Sequence, residues 1–404
     1  MKKILLSVAM MLVGLTQIQA ADMTGKKVYI NPGHGGYWNG GTIDQEVDEA
    51  GNIVVARKGN DRFVATIPYP EESEAGFWES RCNLIKSFEL KRLLELAGCE
   101  VKMSRTENRE EDDKDLSAIG EEANAYLGEA AKKNPNNVAF IAVHSNALGK
   151  NTGINYFLNL YNKDNDGLGK NVTYMALSQS MAMNSAAVLM DNDLNVWKPI
   201  APKVWEDQKF LGFTLGVLRR MNVPGFLVEG SFHDYQPETH RLLNEDYCKL
   251  SAYNMYRFFC EYFQAEFPST GVVAGSVKDS EQILERPQFK NWVKDSHDML
   301  CPINGAQVTL LDANDTVVGT YTTDNNYNGV YVFWEVKPGD YKVKIDAEGY
   351  DTKILAVKVE ASKIAYQVTM MSAKKKEYLR EKIKQVFVKN EPLINAVCLS
   401  RVFI

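Results

Sequence analysis

The sequence predicts an α/β domain, a mixed or mostly parallel sheet flanked by helices, followed by an all-β sandwich. Three observations lead there. Over residues 26–267 short β-branched runs alternate with longer amphipathic ones, the rhythm of a sheet with covering helices. After "FPSTG" the pattern changes to period two, punctuated by Asn, Asp, Gly and Pro turns. The ~380 residues beyond the N-terminal segment suffice for two or three domains with ample core.

The elements follow in order. Lys2 and Lys3, an apolar run over residues 4–15, and "TQIQAAD" form the three-part pattern of a secretory signal peptide over residues 1–20. That run is too short for a transmembrane anchor. No cysteine follows it, so no lipid anchor is expected and the mature protein should be exported. Strands are expected at "KKVYI", "CEVKMSR", "NVAFIAV", "GINYFLNLY" and "PGFLV". A helix over residues 79–98 places Leu84, Phe88 and Leu94 at helical spacing and closes on Gly98, a favoured C-cap residue. Further helices are expected over residues 116–133, 171–191, 210–220 and 245–267, completing one domain over 26–267. The sandwich spans residues 271–371, with 279–301 as a long loop or insertion. The Lys-rich tail, 372–404, carries Leu379 and Ile383 at helical spacing and reads as a solvated helix rather than one meeting an anionic surface.

A net charge of −6 argues against nucleic acid as a partner. Of the 6 cysteines, Cys82 and Cys99 flank one expected helix and Cys248 and Cys260 share another. At ~1.5 Å rise per residue each pair is ~18 Å or more apart, too far to bridge. Pairing with distant Cys301 or Cys398 stays open, and the absence of CxxC argues against a thiolate zinc site.

The stretch "VYINPGHGGYWNGG" sets His34 among glycines, which let backbone approach a ligand closely. His34, His144 and Glu229 stand just past the ends of three expected strands, where α/β sheets gather their ligand sites. Glu79 opens the following helix. Hydrolytic zinc needs a few N or O ligands on rigid elements and one open position. Each residue also has a plainer reading: a hydrogen-bonded core histidine, a carboxylate favouring a helix N-terminus, a buried charge needing a partner.

The context of these residues resembles the zinc-dependent N-acetylmuramoyl-L-alanine amidases of the amidase-3 family. "INPGHGG" matches that family's opening turn, and "ESRCNL" matches its glutamate four residues ahead of an Asn-Leu pair. "GCEVKMSR" with Arg105, the Ala123-Asn124 pair, "VHSNA" and "LVEGSF" follow in the family's order over residues 27–263. The resemblance implies one Zn²⁺ held by His34, Glu79 and His144, Glu229 as general base, and cleavage between N-acetylmuramic acid and L-alanine. The partner would be peptidoglycan or its muropeptide fragments, in a bacterial periplasm or extracellular space. Asn146, Trp38 and His233 become substrate-binding candidates, although His233 and His240 also suit surface or capping roles. Trp38, Trp197 and Trp205 could stack on sugars or cover core edges.

Two positions depart from the family pattern, Asn31 where Asp is common and Ile119 where Arg is common. Glu46, Glu49, Glu71, Glu72 and Glu74 rival Glu79 as ligand without its Asn-Leu context. "INGAQVTLLDANDTVVGTYTTDNN" and the segment after it resemble the carboxypeptidase regulatory-like sandwich, which carries no catalytic cluster here. Two other functions compete: another zinc peptidase and a wall-binding protein without activity. Neither His-x-x-Glu nor HExxH occurs, against the peptidase. All four candidate positions carry chemically competent side chains, which favours an active enzyme.

Overall fold

The computed structural model describes residues 22–35, 44–47, 53–58, 61–65, 76–107, 114–147, 158–161, 174–190, 203–233, 235–283 and 296–374. The expected signal peptide, Trp38, Trp197, Cys398 and the tail helix lie outside them, as do Glu49, Glu71, Glu72 and Glu74.

The first part begins with β1 (Lys27–Pro32), then an antiparallel sheet of β2 (Asp44–Val47), β3 (Ile53–Lys58), β4 (Asp61–Ala65) and β5 (Gly76–Trp78). It continues with α1 (Glu79–Leu96), β6 (Glu100–Met103), α2 (Leu116–Lys133), β7 (Val138–Asn146), β8 (Leu158–Tyr161) and α3 (Met175–Met190). It closes with β9 (Lys203–Glu206), α4 (Asp207–Leu211), α5 (Gly216–Arg219), β10 (Gly225–Phe232), α6 (Gln236–Leu242) and α7 (Glu245–Tyr262).

Six strands form one mixed sheet in the order β6-β1-β7-β10-β8-β9. Strands β6, β1, β7 and β10 run parallel, while β8 is antiparallel to β10 and parallel to β9. Side-chain alternation along the strands builds two cores. Val28, Ile30, Ile141 and Val143 face α1, α3 and α7, whereas Tyr29, Phe140 and Ala142 face α2 and α5. Burial on both faces explains why these strands read as near-continuous apolar runs. Gly98, at φ 84°, ends α1 as expected, its N–H donating to the Glu95 carbonyl at 2.9 Å.

Several expectations need correction. The helix expected over 210–220 is two short helices, α4 and α5, because Gly212 adopts φ 80° and the Asp207 carboxylate accepts the Leu215 N–H at 2.9 Å. The short helix α6 carried too little periodicity to be read. Phe88 is exposed while Leu90 and Leu94 are buried, so the apolar face of α1 lies one residue pair away from where Phe88 suggested. His144 and Glu229 lie inside the ends of β7 and β10 rather than beyond them. The five described cysteines are thiols, and Cys82 and Cys248, which the spacing did not pair, bring their sulfurs to 3.7 Å between α1 and α7.

The second part is a sandwich of two sheets. One holds β11 (Gly271–Ile283), β12 (Leu300–Pro302), β15 (Val330–Val336) and β18 (Ile364–Met371). The other runs β14 (Val317–Thr322), β13 (Gln307–Leu311), β16 (Gly339–Asp346), β17 (Lys353–Val359). Val273, Val277, Val308, Leu310, Val343 and Ile345 fill the space between them. Strand β11 extends to Ile283, into the segment expected as a loop.

The two parts share an apolar core: Phe77, Leu242, Leu250 and Tyr253 pack with Val272, Ala274, Val332 and Ile364. Beside it lies a buried ionic cluster. The Asp298 carboxylate accepts from Arg241 Nη1 at 2.8 Å, Lys278 Nζ at 2.6 Å and the Tyr235 hydroxyl at 3.1 Å. Burial pushes this carboxyl up, but the Arg241 and Lys278 charges outweigh burial and hold it well below its ordinary 3.8. A carboxyl depressed in the folded state stabilises fully above its unfolded pKa and loses that contribution as pH falls toward the folded value. The melting temperature should therefore lose this contribution only below about pH 4. A calorimetric series down to about pH 2.5 checks it: Asp298→Asn should show a shallower acid decline than wild type, and equal declines would rule out Asp298 as a source. No helix among the described residues is long and apolar enough to cross a membrane.

Candidate metal centre

The site forms where β1, β7 and β10 end beside the start of α1. The chain leaves β1 through Gly33, whose N–H donates to the Val143 carbonyl at 2.8 Å, and enters His34 with φ 55°. A non-glycine residue held in that region costs about 1 kcal/mol, so the surroundings must enforce it. Gly33 is needed for a different reason. The His144 ring lies over it, and a Cβ there would come 2.3 Å from Cε1 and Nε2 of that ring. Gly33→Ala should therefore push His144 from its seat and weaken zinc binding about tenfold or more, as displaced functional groups do. Zinc titration of the variant beside wild type checks this; unchanged zinc affinity would refute the seat.

Glu79, the first residue of α1, is 1% exposed. Its Oε2 lies 3.1 Å from His34 Nε2 and its Oε1 3.5 Å from His144 Nδ1. Oε1 also accepts the Asn83 amide and the Ser145 N–H, each at 3.2 Å. Burial raises this carboxyl, yet the His34 and His233 charges and the hydrogen bonds from His144 and His34 prevail and hold it well below the usual range. Burial pushes His144 down, only partly opposed by Glu79, and so favours a neutral imidazole with a lone pair to offer. One ligand atom each from His34, Glu79 and His144 lie within 4.8 Å of one another, the one such group among the described residues. Two imidazoles and an anionic carboxylate are donors that suit zinc. Of the rivals, Glu46 falls in β2, whose backbone alone is described.

Glu229 pairs with His144 across the β7–β10 ladder, at the ~4.8 Å spacing of neighbouring strands. Directly after it, β10 bulges, with Ser231 at φ 72°. Bulges of this kind re-aim side chains near sites. Lys86 of α1 is buried and donates to the Gly230 carbonyl at 2.9 Å, tying the bulge to the helix that carries Glu79.

His233 neither lines the cleft nor caps the surface: it is 1% exposed, because the bulge turns it inward. Its Nε2 lies 3.8 Å from Glu79 Oε2, its Nδ1 3.2 Å from Ser145 Oγ, and its ring stacks on Phe77. His240 is likewise buried, 2.7 Å from the Asn326 carbonyl. Asn146 is half-buried and accepts the His233 N–H on its own carbonyl at 2.9 Å. Trp205 is exposed and packs against Phe210. Asn31 accepts from the Ser104 hydroxyl at 2.7 Å, so this departure serves the β1–β6 junction.

Two residues present in the family motif had no role assigned from sequence. Arg105 is buried and donates to the carbonyls of Pro32, Gly33 and Ser80, binding the turn before His34 to the start of α1. Asn83 bridges Glu79 and the Gly33 carbonyl. A cavity of about 170 Å³ opens beside His34 and His144, lined also by Lys114, Ile119, Leu215 and Leu227.

Fold and site together define a class, an α/β domain whose parallel strands converge on a His–Glu–His set able to hold a divalent cation, with a further carboxylate alongside. The N-acetylmuramoyl-L-alanine amidase family model matches residues 28–259, and the chain belongs to that family. It is an enzyme of the peptidoglycan amidase type. A carboxypeptidase regulatory-like domain matches residues 293–371. Similar solved structures include the N-acetylmuramoyl-L-alanine amidase from Clostridium difficile 630, at 19% identity and TM-score 0.38 over 59% of this chain and 97% of that one. The amidase AmiC2 of Nostoc punctiforme follows at 18% and 0.39, over 59% of this chain and 98% of its own. The amidase from Mycobacterium smegmatis is similar at 16% and 0.41, over 60% and 99%. Comparison with curated proteins returns no match.

Proposed function

We propose that the chain hydrolyses the amide between the lactyl group of N-acetylmuramic acid and L-alanine, in peptidoglycan or its muropeptide fragments, with Zn²⁺ held by His34, Glu79 and His144. The convergence of those three donors within 4.8 Å carries this reading. Bound zinc supplies Lewis acidity, polarising an amide carbonyl and lowering the pKa of water toward ~7. Glu229 accepts the proton of the attacking water and passes it to the departing amine. Glu79, kept anionic by its neighbours, offsets cationic charge at the site, while Asn83 and the Ser145 N–H fix its rotamer. Ile119, Leu215 and Leu227 give the cavity an apolar wall that suits the lactyl and alanine methyls and limits bulk water. Asn146 and Trp38 remain the proposed substrate contacts; His233 supports Glu79 instead.

In this reading residues 1–20 are a signal peptide, 26–267 the amidase domain, 271–371 the sandwich and 372–404 a basic tail, and the protein works in a bacterial periplasm or outside the cell. The test is digestion of purified peptidoglycan by zinc-loaded protein, followed by mass spectrometry. Released stem peptides with a free L-alanine amino terminus are expected. Intact wall, or fragments cut elsewhere, would overturn the proposal.

A further inference from the structure

The polypeptide leaving Glu229 enters α6, which meets the sandwich, before it continues through α7 to β11. Past the bulge, the Thr239 hydroxyl of α6 donates to the His233 carbonyl at 2.6 Å, locking that turn onto the helix. Helix α6 is held in turn from outside the α/β domain. Asp298 accepts from both terminal guanidinium nitrogens of Arg241, at 2.8 and 3.3 Å, and from the hydroxyl of Tyr235 at 3.1 Å. Lys278 of β11 binds the same carboxylate from the sandwich side at 2.6 Å. Asn326 accepts from His240, and Asn328 donates to the His240 carbonyl at 3.1 Å. Asp298 and Lys278 are each 2% exposed and Arg241 is 7% exposed, so these charges lie in a poorly polarisable setting that makes broken pairs costly. Such a cluster has one good geometry, and α6 must adopt it.

We propose that Asp298 is a positioning residue for the metal centre: through it the sandwich fixes Tyr235 and α6 and thereby seats His233 against Glu79. The second domain is then a wall of the catalytic unit, not a detachable module that merely delivers it to substrate. Interfaces between independent modules are commonly more polar and leave the domains free to move. Here a shared apolar core flanks the cluster, and β11 starts at Gly271 soon after α7 ends at Tyr262. The catalytic consequence rests on the amidase reading, whereas the seating of the segment does not.

The experiment uses the full chain with Asp298→Asn and, in case that variant fails to fold, Tyr235→Phe, which removes one hydroxyl and no charge. Hydrogen exchange of the metal-free proteins is read over residues 229–241 and, as a control, over the core of α2. Zinc affinity is measured by chelator competition, and kcat and KM on muropeptide. For Asp298→Asn we expect about tenfold faster exchange confined to 229–241, zinc affinity weaker by about tenfold as for lost outer contacts to ligands, and a lower kcat at unchanged KM. Tyr235→Phe should give the same pattern at about a third of the size. Acceleration spread equally over the chain, or unchanged local exchange and zinc affinity in both variants, would overturn the inference. Wild type inactive on peptidoglycan, with the exchange and zinc effects present, would refute the amidase reading alone.

Discussion

Glu229→Gln should retain its zinc and lose between about 10² and 10⁴ of its kcat, the span that positioned acid–base groups contribute. The substitution preserves side-chain size and leaves the β7–β10 register that sets position 229 beside His144. A carboxamide cannot accept the proton of an attacking water. Elemental analysis and the rate of stem-peptide release separate the two effects. A variant with stoichiometric zinc and a rate within about threefold of wild type would remove Glu229 as the base, whereas zinc lost together with activity would recast it as a ligand.

The second large effect concerns His34. Removing one of three protein donors from a zinc site takes away a metal bond and leaves an arrangement that no longer closes around the ion. His34→Ala confounds this with the backbone, since residue 34 sits at φ 55°, a region Ala adopts poorly. Asn tolerates it better, so His34→Asn isolates the lost imidazole. Both variants should fall from near one zinc per chain to a small fraction of that and lose activity beyond about 10³-fold, with only the Ala variant melting measurably earlier. Metal content by mass spectrometry, with calorimetry beside it, checks the pair. Full zinc occupancy in His34→Asn would exclude His34 from the site.

Much of the candidate site could be read from the sequence because its candidate ligands sit where local pattern is strongest. His34 and His144 follow apolar β-branched runs and Glu79 opens an amphipathic helix, so period and turn chemistry mark them as candidates at element ends, while the resemblance to the amidase-3 family joins them into one set. Residues that act through long-range hydrogen bonds left no such trace. Arg105 serves carbonyls of Pro32, Gly33 and Ser80, and Lys86 serves that of Gly230. Neither periodicity nor composition encodes a carbonyl's direction. His233 was misread for a definable reason. Simple alternation puts it on one face with Glu229, but the bulge at Ser231 breaks that alternation, and the Gly230-Ser231 pair was the only hint. The β2–β5 sheet escaped because its strands are only 3 to 6 residues long, α6 because its 7 residues are mostly polar, and the split at Gly212 because one glycine inside an apolar stretch is an ambiguous stop.

The apolar core common to both halves bears on how this enzyme can be handled and how it could have evolved. Severing the chain after α7 would bare Phe77, Leu242, Leu250 and Tyr253 to water, a sticky face on a fragment that still holds every proposed ligand. Shuffling the sandwich for an unrelated module would do the same, so any replacement would have to present matching apolar side chains across the seam.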